Sequence, residues 1–217
     1  MKHVKPTTAV KINFRQTRDC YVSRQGEFRS LFVPVMRYLM IDGHGDPNTS
    51  PAFDSAVRAL YPVAYALKFT SKQQLGRDYL VPPLEGLWWA QNMDAFTTSR
   101  DKSQWDWTLM VLCPDWLADE VVLTAIDTVS RKRNRPERLD DVRLELLDEG
   151  QCIQTLHVGA FDDEADVLRR MHHEVIPQRG LTLSGTHHEI YLSDFRRVAP
   201  EKRRTILRQP VRPAGAI

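Results

Sequence analysis

The sequence predicts an α+β fold made of two pseudo-symmetric β-α-β-β units, with a mostly antiparallel sheet, helices on one face and a central groove. One reason is the order of the periodic segments, which runs strand, helix, strand, strand, helix, strand, strand, helix, strand. The other reason is an internal repeat, because residues 33–113 and 142–195 look like the same unit used twice. Two such units paired about a pseudo-two-fold axis leave a groove where the copies meet.

The first unit is predicted from β-branched and aromatic runs, glycine turns and one apolar helical stripe. Ser50 or the threonine before it caps a helix that begins at Pro51. Pro62 should kink or divide this helix, and Pro82-Pro83 should interrupt the strand that follows it. The expected strand, turn, helix and two strands cover residues 33–41, 43–48, 51–67, 79–90 and 104–112.

The second unit follows a connecting helix over residues 116–133. Alternation of apolar and polar residues predicts two strands joined by a tight turn at Glu149-Gly150, so we expect a hairpin. A helix with acidic residues in its first turn comes next, and a strand closes the unit. The two hairpin strands, the helix and the last strand cover residues 142–147, 152–158, 159–177 and 187–192.

The domain organisation follows from charge as well as from pattern. The formal net charge is +2 over 217 residues, but residues 1–30 carry +5 and residues 196–217 carry +6, which leaves −9 for the middle. We predict an N-terminal basic segment, 1–30, a single domain, 31–210, with a short helix near 200–207, and a C-terminal tail, 211–217. An acidic middle disfavours nucleic acid as the main ligand.

Targeting and redox signals indicate a cytoplasmic protein. No apolar run is long enough for a membrane span, and the first residues lack the apolar core of a signal peptide. The three cysteines are far apart and form no C-x-x-C motif, so neither a disulfide framework nor a zinc knuckle is expected.

Each unit ends in a strand that carries a glutamate beside aromatic residues. Side chains alternate between the two faces of a strand, so Glu85 shares a face with Trp89, and Glu189 shares a face with His187 and Tyr191. If helices cover the opposite face of the sheet, both glutamates line the groove. The other aromatic candidates for the groove wall are Trp88, Trp105 and Trp107.

A carboxylate in an aromatic cleft has two uses. It can pair with a cation that stacks on the rings, or it can act as a general acid or base whose pKa is raised by burial and by a second carboxylate. The plainer alternatives are that Glu85 and Glu189 face solvent and that Trp105 and Trp107 belong to the core. Only Glu189 has a tyrosine, Tyr191, on its face of the strand, and this difference favours an asymmetric site centred on Glu189.

The sequence lacks the motifs of zinc, phosphate, dinucleotide and nucleophilic-serine sites. Residues 172–174 and 187–189 both read His-His-Glu, but neither has the H-E-x-x-H spacing of a zinc site. No nucleophile elbow, Walker A or dinucleotide-binding glycine motif is present. We therefore expect no metal and no cofactor.

Three stretches, 38–46, 84–89 and 188–197, resemble the GyrI-like small-molecule-binding proteins, and the resemblance extends over about residues 33–210. It implies a pair of SHV-type units around a central groove, with Glu189 as the groove glutamate and Glu85 as its counterpart. It also implies that Trp88, Trp89 and Tyr191 are groove aromatics. Phe195 departs from the family pattern, in which we expect a proline.

The resemblance frames the functional hypotheses. The family includes effector-binding domains of multidrug-sensing regulators, a gyrase-inhibiting protein, and stand-alone hydrolases that open the cyclopropane of DNA-alkylating compounds. The favoured hypothesis is a binder of flat hydrophobic, often cationic, small molecules that protects against drugs or toxins. The alternatives are a cyclopropanoid hydrolase and a protein-interaction module such as a gyrase-associated inhibitor. The partner is thus a small molecule, with neither a membrane nor nucleic acid expected.

Overall fold

A computed structural model describes residues 11–90 and 101–215. Its helices are α1 (Phe14–Thr17), α2 (Pro51–Gln74), α3 (Asp119–Ser130), α4 (Ala165–Arg170) and α5 (Ile176–Gln178), and a π-helical turn (Met171–Val175) joins the last two. Its strands are β1 (Arg29–Val33), β2 (Met36–His44), β3 (Leu84–Trp89), β4 (Asp106–Cys113), β5 (Arg143–Leu147), β6 (Gly150–Val158), β7 (Leu181–Leu183), β8 (His187–Tyr191) and β9 (Arg204–Pro213).

Within the described residues the strands form a sheet in the order β1-β6-β9-β8-β3-β4-β2-β5, with β7 paired to β9. Every pairing of named strands is antiparallel. The order confirms the predicted α+β fold, because β2-α2-β3-β4 and β6-α4-β8-β9 occupy mirrored positions on either side of the β3–β8 pair. The second unit therefore extends to Pro213, beyond its predicted end at residue 195.

The predicted hairpin between residues 142–147 and 152–158 is wrong. β5 pairs with β2, and β6 pairs with β1 at the other end of the strand order. Val33 lies opposite Gly150 and Met36 lies opposite Leu147, so the register continues unbroken from one pair to the next. The four strands therefore form one long bent ribbon, and Gly150, with a φ of 59°, supplies the left-handed residue at the bend.

Pro62 does not divide α2, which runs as one helix from Pro51 to Gln74. Two further local predictions differ from the structure. The strand predicted to start at residue 79 begins only at Leu84, after the two prolines, and Tyr79 makes an isolated bridge. The C-terminal residues form strand β9 and not a helix with a tail; only Pro200–Lys202 make a 3₁₀ turn.

Different parts of the chain pack on the two faces of the sheet. One face packs against α2 and α3 through Leu39, Leu60 and Trp107, and against α4 through a smaller cluster. The opposite face packs against the N-terminal residues, where Phe14 and Tyr21 join the core. The described part of the predicted basic segment, residues 11–30, is thus integral to the fold and contributes β1. In the part of the chain described, no helix has the length and apolar character needed to span a bilayer.

Candidate functional site

The junction of the two units lies at the β3–β8 pair. Gly86 lies opposite Glu189, and Glu85 lies opposite Ile190. Residues paired across a sheet share a face, so Glu189 faces the helices and Glu85 faces the N-terminal segment. The structure does not bring the two glutamates together. An alignment of the two repeats that matches Glu85 to Glu189 is shifted by one residue from one that keeps equivalent residues on the same face of the sheet. A shift of one residue exchanges the two faces of a strand.

Glu189 lies in a small cavity on the helical face, here called the groove pocket. Its volume is about 60 Å³. Residues of both units and of the connecting loops line it: Pro47, Asn48, Trp88, Lys102, Trp105, Phe161, Glu164, Ala165, Leu168, His187 and Glu189. The pocket thus contains four of the predicted site residues, and the pleat explains why Trp88 is among them, since it lies on the face opposite Glu85.

A hydrogen bond lies next to the groove pocket, on the face of the sheet that carries Glu189. The indole Nε1 of Trp88 donates to the hydroxyl of Tyr191 at 3.1 Å, and Tyr191 follows Glu189 by two residues on the same face of β8. Burial, followed by the charge of Glu189, raises the pKa of Tyr191 well above its ordinary value. Tyr191 therefore stays protonated at neutral pH, and its hydroxyl oxygen accepts the hydrogen bond from Trp88.

The groove pocket combines acidic groups with a histidine that has spare bonding capacity. The Glu189 side chain is 13% exposed, and its Oε1 lies 3.6 Å from Nε2 of His187. Among the described residues, neither ring nitrogen of His187 has a hydrogen-bond partner. Glu164 adds a second buried carboxylate, whereas the cation Lys102 pairs with Asp162 at 2.7 Å. The site can therefore accept a proton, bind a cation or hold a polar ligand atom.

Glu85 belongs to a buried ionic network on the opposite face, with no exposed surface. Its oxygens accept hydrogen bonds from Tyr21 at 2.5 Å and Tyr38 at 3.3 Å. His188 Nε2 lies 3.0 Å from Glu85, and its Nδ1 lies 2.9 Å from Glu149. Glu85 therefore cannot contact a ligand in the groove pocket.

The same network extends to Glu149 and Arg208. Arg208 Nη1 donates to Glu149 at 2.7 Å, and its Nη2 donates to the carbonyl of Cys20 at 2.7 Å. Burial alone would lower the pKa of His188, but its contacts with Glu149 and Glu85 outweigh burial and raise it. Burial likewise opposes the charge of Glu149, yet His188 and Arg208 lower its pKa to about 2. His188 and Arg208 thus contact the carboxylates of Glu85 and Glu149 within the core.

Sequence reasoning missed this network. The charge count groups Arg208 with the basic residues 196–217, and the local pattern predicts a hairpin turn at Glu149. The available signal was the run Thr205-Ile206-Leu207, because β-branched and apolar residues in sequence favour a strand.

The remaining predicted aromatics have separate positions. Trp107 is a core residue, since its ring packs over Gly43, where a Cβ would overlap it, and its Nε1 donates to the carbonyl of Gly45 at 3.2 Å. Trp89 is half-buried and follows the face of Glu85. Phe195 takes the place of the expected proline and packs its ring against Phe53, Phe161 and Tyr191.

Comparison with known proteins agrees with this architecture. The family model of the GyrI-like small molecule binding domain matches residues 27–212. An uncharacterized conserved protein from Listeria innocua is 35% identical, with a TM-score of 0.83 over 93% of this chain and 100% of that one. A hydrolase from Listeria innocua is 33% identical, with a TM-score of 0.80 over the same shares of the two chains.

A more distant likeness concerns the fold alone. The C-terminal domain of EcmrR is 10% identical, with a TM-score of 0.52 over 86% of this chain and 98% of that domain. No curated protein matches the chain. The family match spans both units, the β3–β8 junction and the groove pocket, and the chain therefore belongs to the GyrI-like small molecule binding domain family.

Proposed function

We propose that this protein binds a flat hydrophobic small molecule in the groove pocket and adds water to it, with Glu189 as the general base. The observation that carries the proposal is the position of Glu189, a largely buried carboxylate that lines the groove pocket with its Oε1 3.6 Å from Nε2 of His187. Binding alone needs charge and stacking surfaces. A buried carboxylate beside a histidine and facing a cavity is an arrangement that suits proton transfer.

The reaction we propose opens a strained cyclopropane conjugated to a carbonyl group. Glu189 takes a proton from water while the water oxygen bonds to a ring carbon. A ring C–C bond breaks, its electron pair moves into the conjugated carbonyl, and the proton held by Glu189 returns to the product.

The polar surroundings support this assignment. The ring nitrogens of His187, which have no hydrogen-bond partner in the described part of the chain, can bond to the carbonyl or to the attacking water. Trp88 and Trp105 provide apolar ring surface for the ligand. The similarity of this chain to a hydrolase from Listeria innocua supports a hydrolytic reaction. Drug-sized ligands need several hundred Å³, so binding must displace wall side chains of a pocket of about 60 Å³.

The test is turnover of a cyclopropane-bearing DNA alkylator, with the hydrated product followed by mass spectrometry. We expect wild-type protein to form the product and Glu189→Gln to lose at least a hundredfold in rate, because general bases contribute about 10²–10⁴-fold. Glu174→Gln, an exposed glutamate on the same unit, is the matched control and should retain wild-type turnover. Equal turnover in wild type and Glu189→Gln contradicts the mechanism.

A second function is binding without turnover, and the paired acids of the pocket favour it. Glu164 and Glu189 lie beside the rings of Trp88 and Trp105, a combination suited to an aromatic cation. The same assay separates the two functions. An alkylator recovered unchanged, together with ethidium binding that weakens in Glu189→Gln, identifies a binding protein.

A further inference from the structure

A second cavity, far larger than the groove pocket, lies at the other end of β8. Its volume is about 590 Å³, which is within the range of small-molecule sites. Tyr191 and Phe195 form part of its wall, and Phe195 also packs against Phe161 of the groove pocket. The two cavities are therefore neighbours separated by aromatic rings.

Flat apolar surfaces form much of the wall of this cavity. Tyr61 and Tyr65 of α2 lie with their ring centroids 6.4 Å apart, and Pro82 and Pro83 contribute from the loop before β3. Tyrosine rings and proline rings offer broad faces at little cost in conformational entropy. Such a surface suits a planar aromatic molecule.

Cations outnumber acids around this cavity. Three arginines, Arg15, Arg58 and Arg196, line it together with one acid, Asp194. Asp194 bonds to Arg196 at 3.1 Å, and Arg58 pairs with Asp54 of the preceding helical turn.

Arg15 carries the excess positive charge. Within residues 11–90 and 101–215, Arg15 has no carboxylate partner among the ion pairs. Partial burial, followed by the neighbouring charge of Arg204, lowers the pKa of Arg15. Two guanidinium groups near each other, with no carboxylate paired to Arg15 among the described residues, create a local potential that attracts anions.

We propose that this arginine-rimmed cavity binds an aromatic anion, with a carboxylate or sulfonate at Arg15 and Arg58 and the ring system against Tyr61 and Tyr65. Guanidinium groups bind such oxyanions through paired N–H donors. The acids of the groove pocket disfavour the same ligand. The protein would then have two neighbouring sites with opposite charge preference, and this second site is independent of the reaction proposed for Glu189.

Two probes of matched shape test the charge preference. Naphthalene-2-sulfonate and the corresponding 2-naphthyl trimethylammonium cation are titrated into the full chain by calorimetry at low salt. We expect the sulfonate to bind at least tenfold more tightly than the cation. Both Arg15→Gln and Arg58→Gln should weaken the sulfonate three- to tenfold, and Tyr65→Ser should weaken it by a similar factor.

Two variants locate the bound anion. Arg133→Gln removes an exposed arginine beyond the end of α3 and should leave the affinity for the sulfonate unchanged. Glu189→Gln should also leave it unchanged, which separates this proposal from the groove reaction. The proposal is wrong if neither probe binds, if both bind equally, or if the affinity changes in Glu189→Gln and not in Arg15→Gln.

Discussion

Gly86 explains at the level of one residue why the motif around Glu85 contains a glycine. It lies opposite Glu189 in the β3–β8 pair. A Cβ at this position would lie 2.9 Å from Trp88 Nε1 and 3.2 Å from the Tyr191 hydroxyl. The hydrogen bond between Trp88 and Tyr191 occupies the space that a side chain would take, so the glycine and this hydrogen bond depend on each other.

Gly86→Ala should therefore disturb the site and the fold together. Crowding in a packed region costs about 1–3 kcal/mol, and we expect a loss of that size in the free energy of unfolding, measured with urea. Turnover or ligand affinity should fall as well, because Trp88, which lines the groove pocket, is displaced. Trp88→Phe removes the nearest crowding atom and serves as the matched background. If Gly86→Ala costs the same in both backgrounds, the clash with the indole is not its cause.

At the level of the element, β8 presents different chemistry on its two faces. Glu189 lines the groove pocket, whereas His188 faces the buried ionic network. Because the network holds His188 from both sides, through Glu85 and Glu149, it fixes the register of the strand that carries Glu189. Glu85 thus lies in the buried network and not in the groove pocket.

The raised pKa of His188 makes a pH prediction possible. A histidine whose folded pKa exceeds its ordinary value of 6.5 contributes stability that is fully present below that value and is lost as pH rises through the folded pKa. We expect the free energy of unfolding of wild type to be higher than that of His188→Gln. The difference should be largest at about pH 6 and should shrink at higher pH. Urea unfolding of both proteins across this range is the measurement. A difference that grows with pH contradicts the assignment.

The helices and strands also show which parts of the fold can be predicted from the sequence. Strands β3, β4 and β8 and helices α2 and α3 follow from local patterns, because each buries one stripe or one face. The pairing of β5 with β2 does not, since a local turn signal at Glu149-Gly150 says nothing about a partner more than a hundred residues earlier. β9 was missed because its arginines look like a solvated tail, and only the network shows why Arg208 is buried. The groove position of Glu189 was predictable, but the face of Glu85 required the register.

At the level of the whole molecule, the buried network connects four parts of the chain. Arg208 belongs to the second unit, Glu149 to the bend of the long ribbon, and Cys20, whose carbonyl binds Arg208, to the N-terminal segment. Glu85, which contacts His188, belongs to the first unit. The charges are compensated only when all these parts are in place, so we expect the two units to unfold together.

Arg208→Met tests this cooperativity, because all five tryptophans lie between residues 88 and 116, in the first unit and the residues just after it. The substitution leaves Glu149 without one of its buried cations, and breaking such a pair costs about 3–5 kcal/mol. Tryptophan fluorescence and far-UV circular dichroism should therefore shift to lower urea by the same amount, although the change lies in the second unit. Arg212→Met, an exposed site on the same strand, should leave both transitions at their wild-type positions. If the dichroism of Arg208→Met shifts while its tryptophan transition stays at the wild-type midpoint, the units unfold separately and the network does not join them.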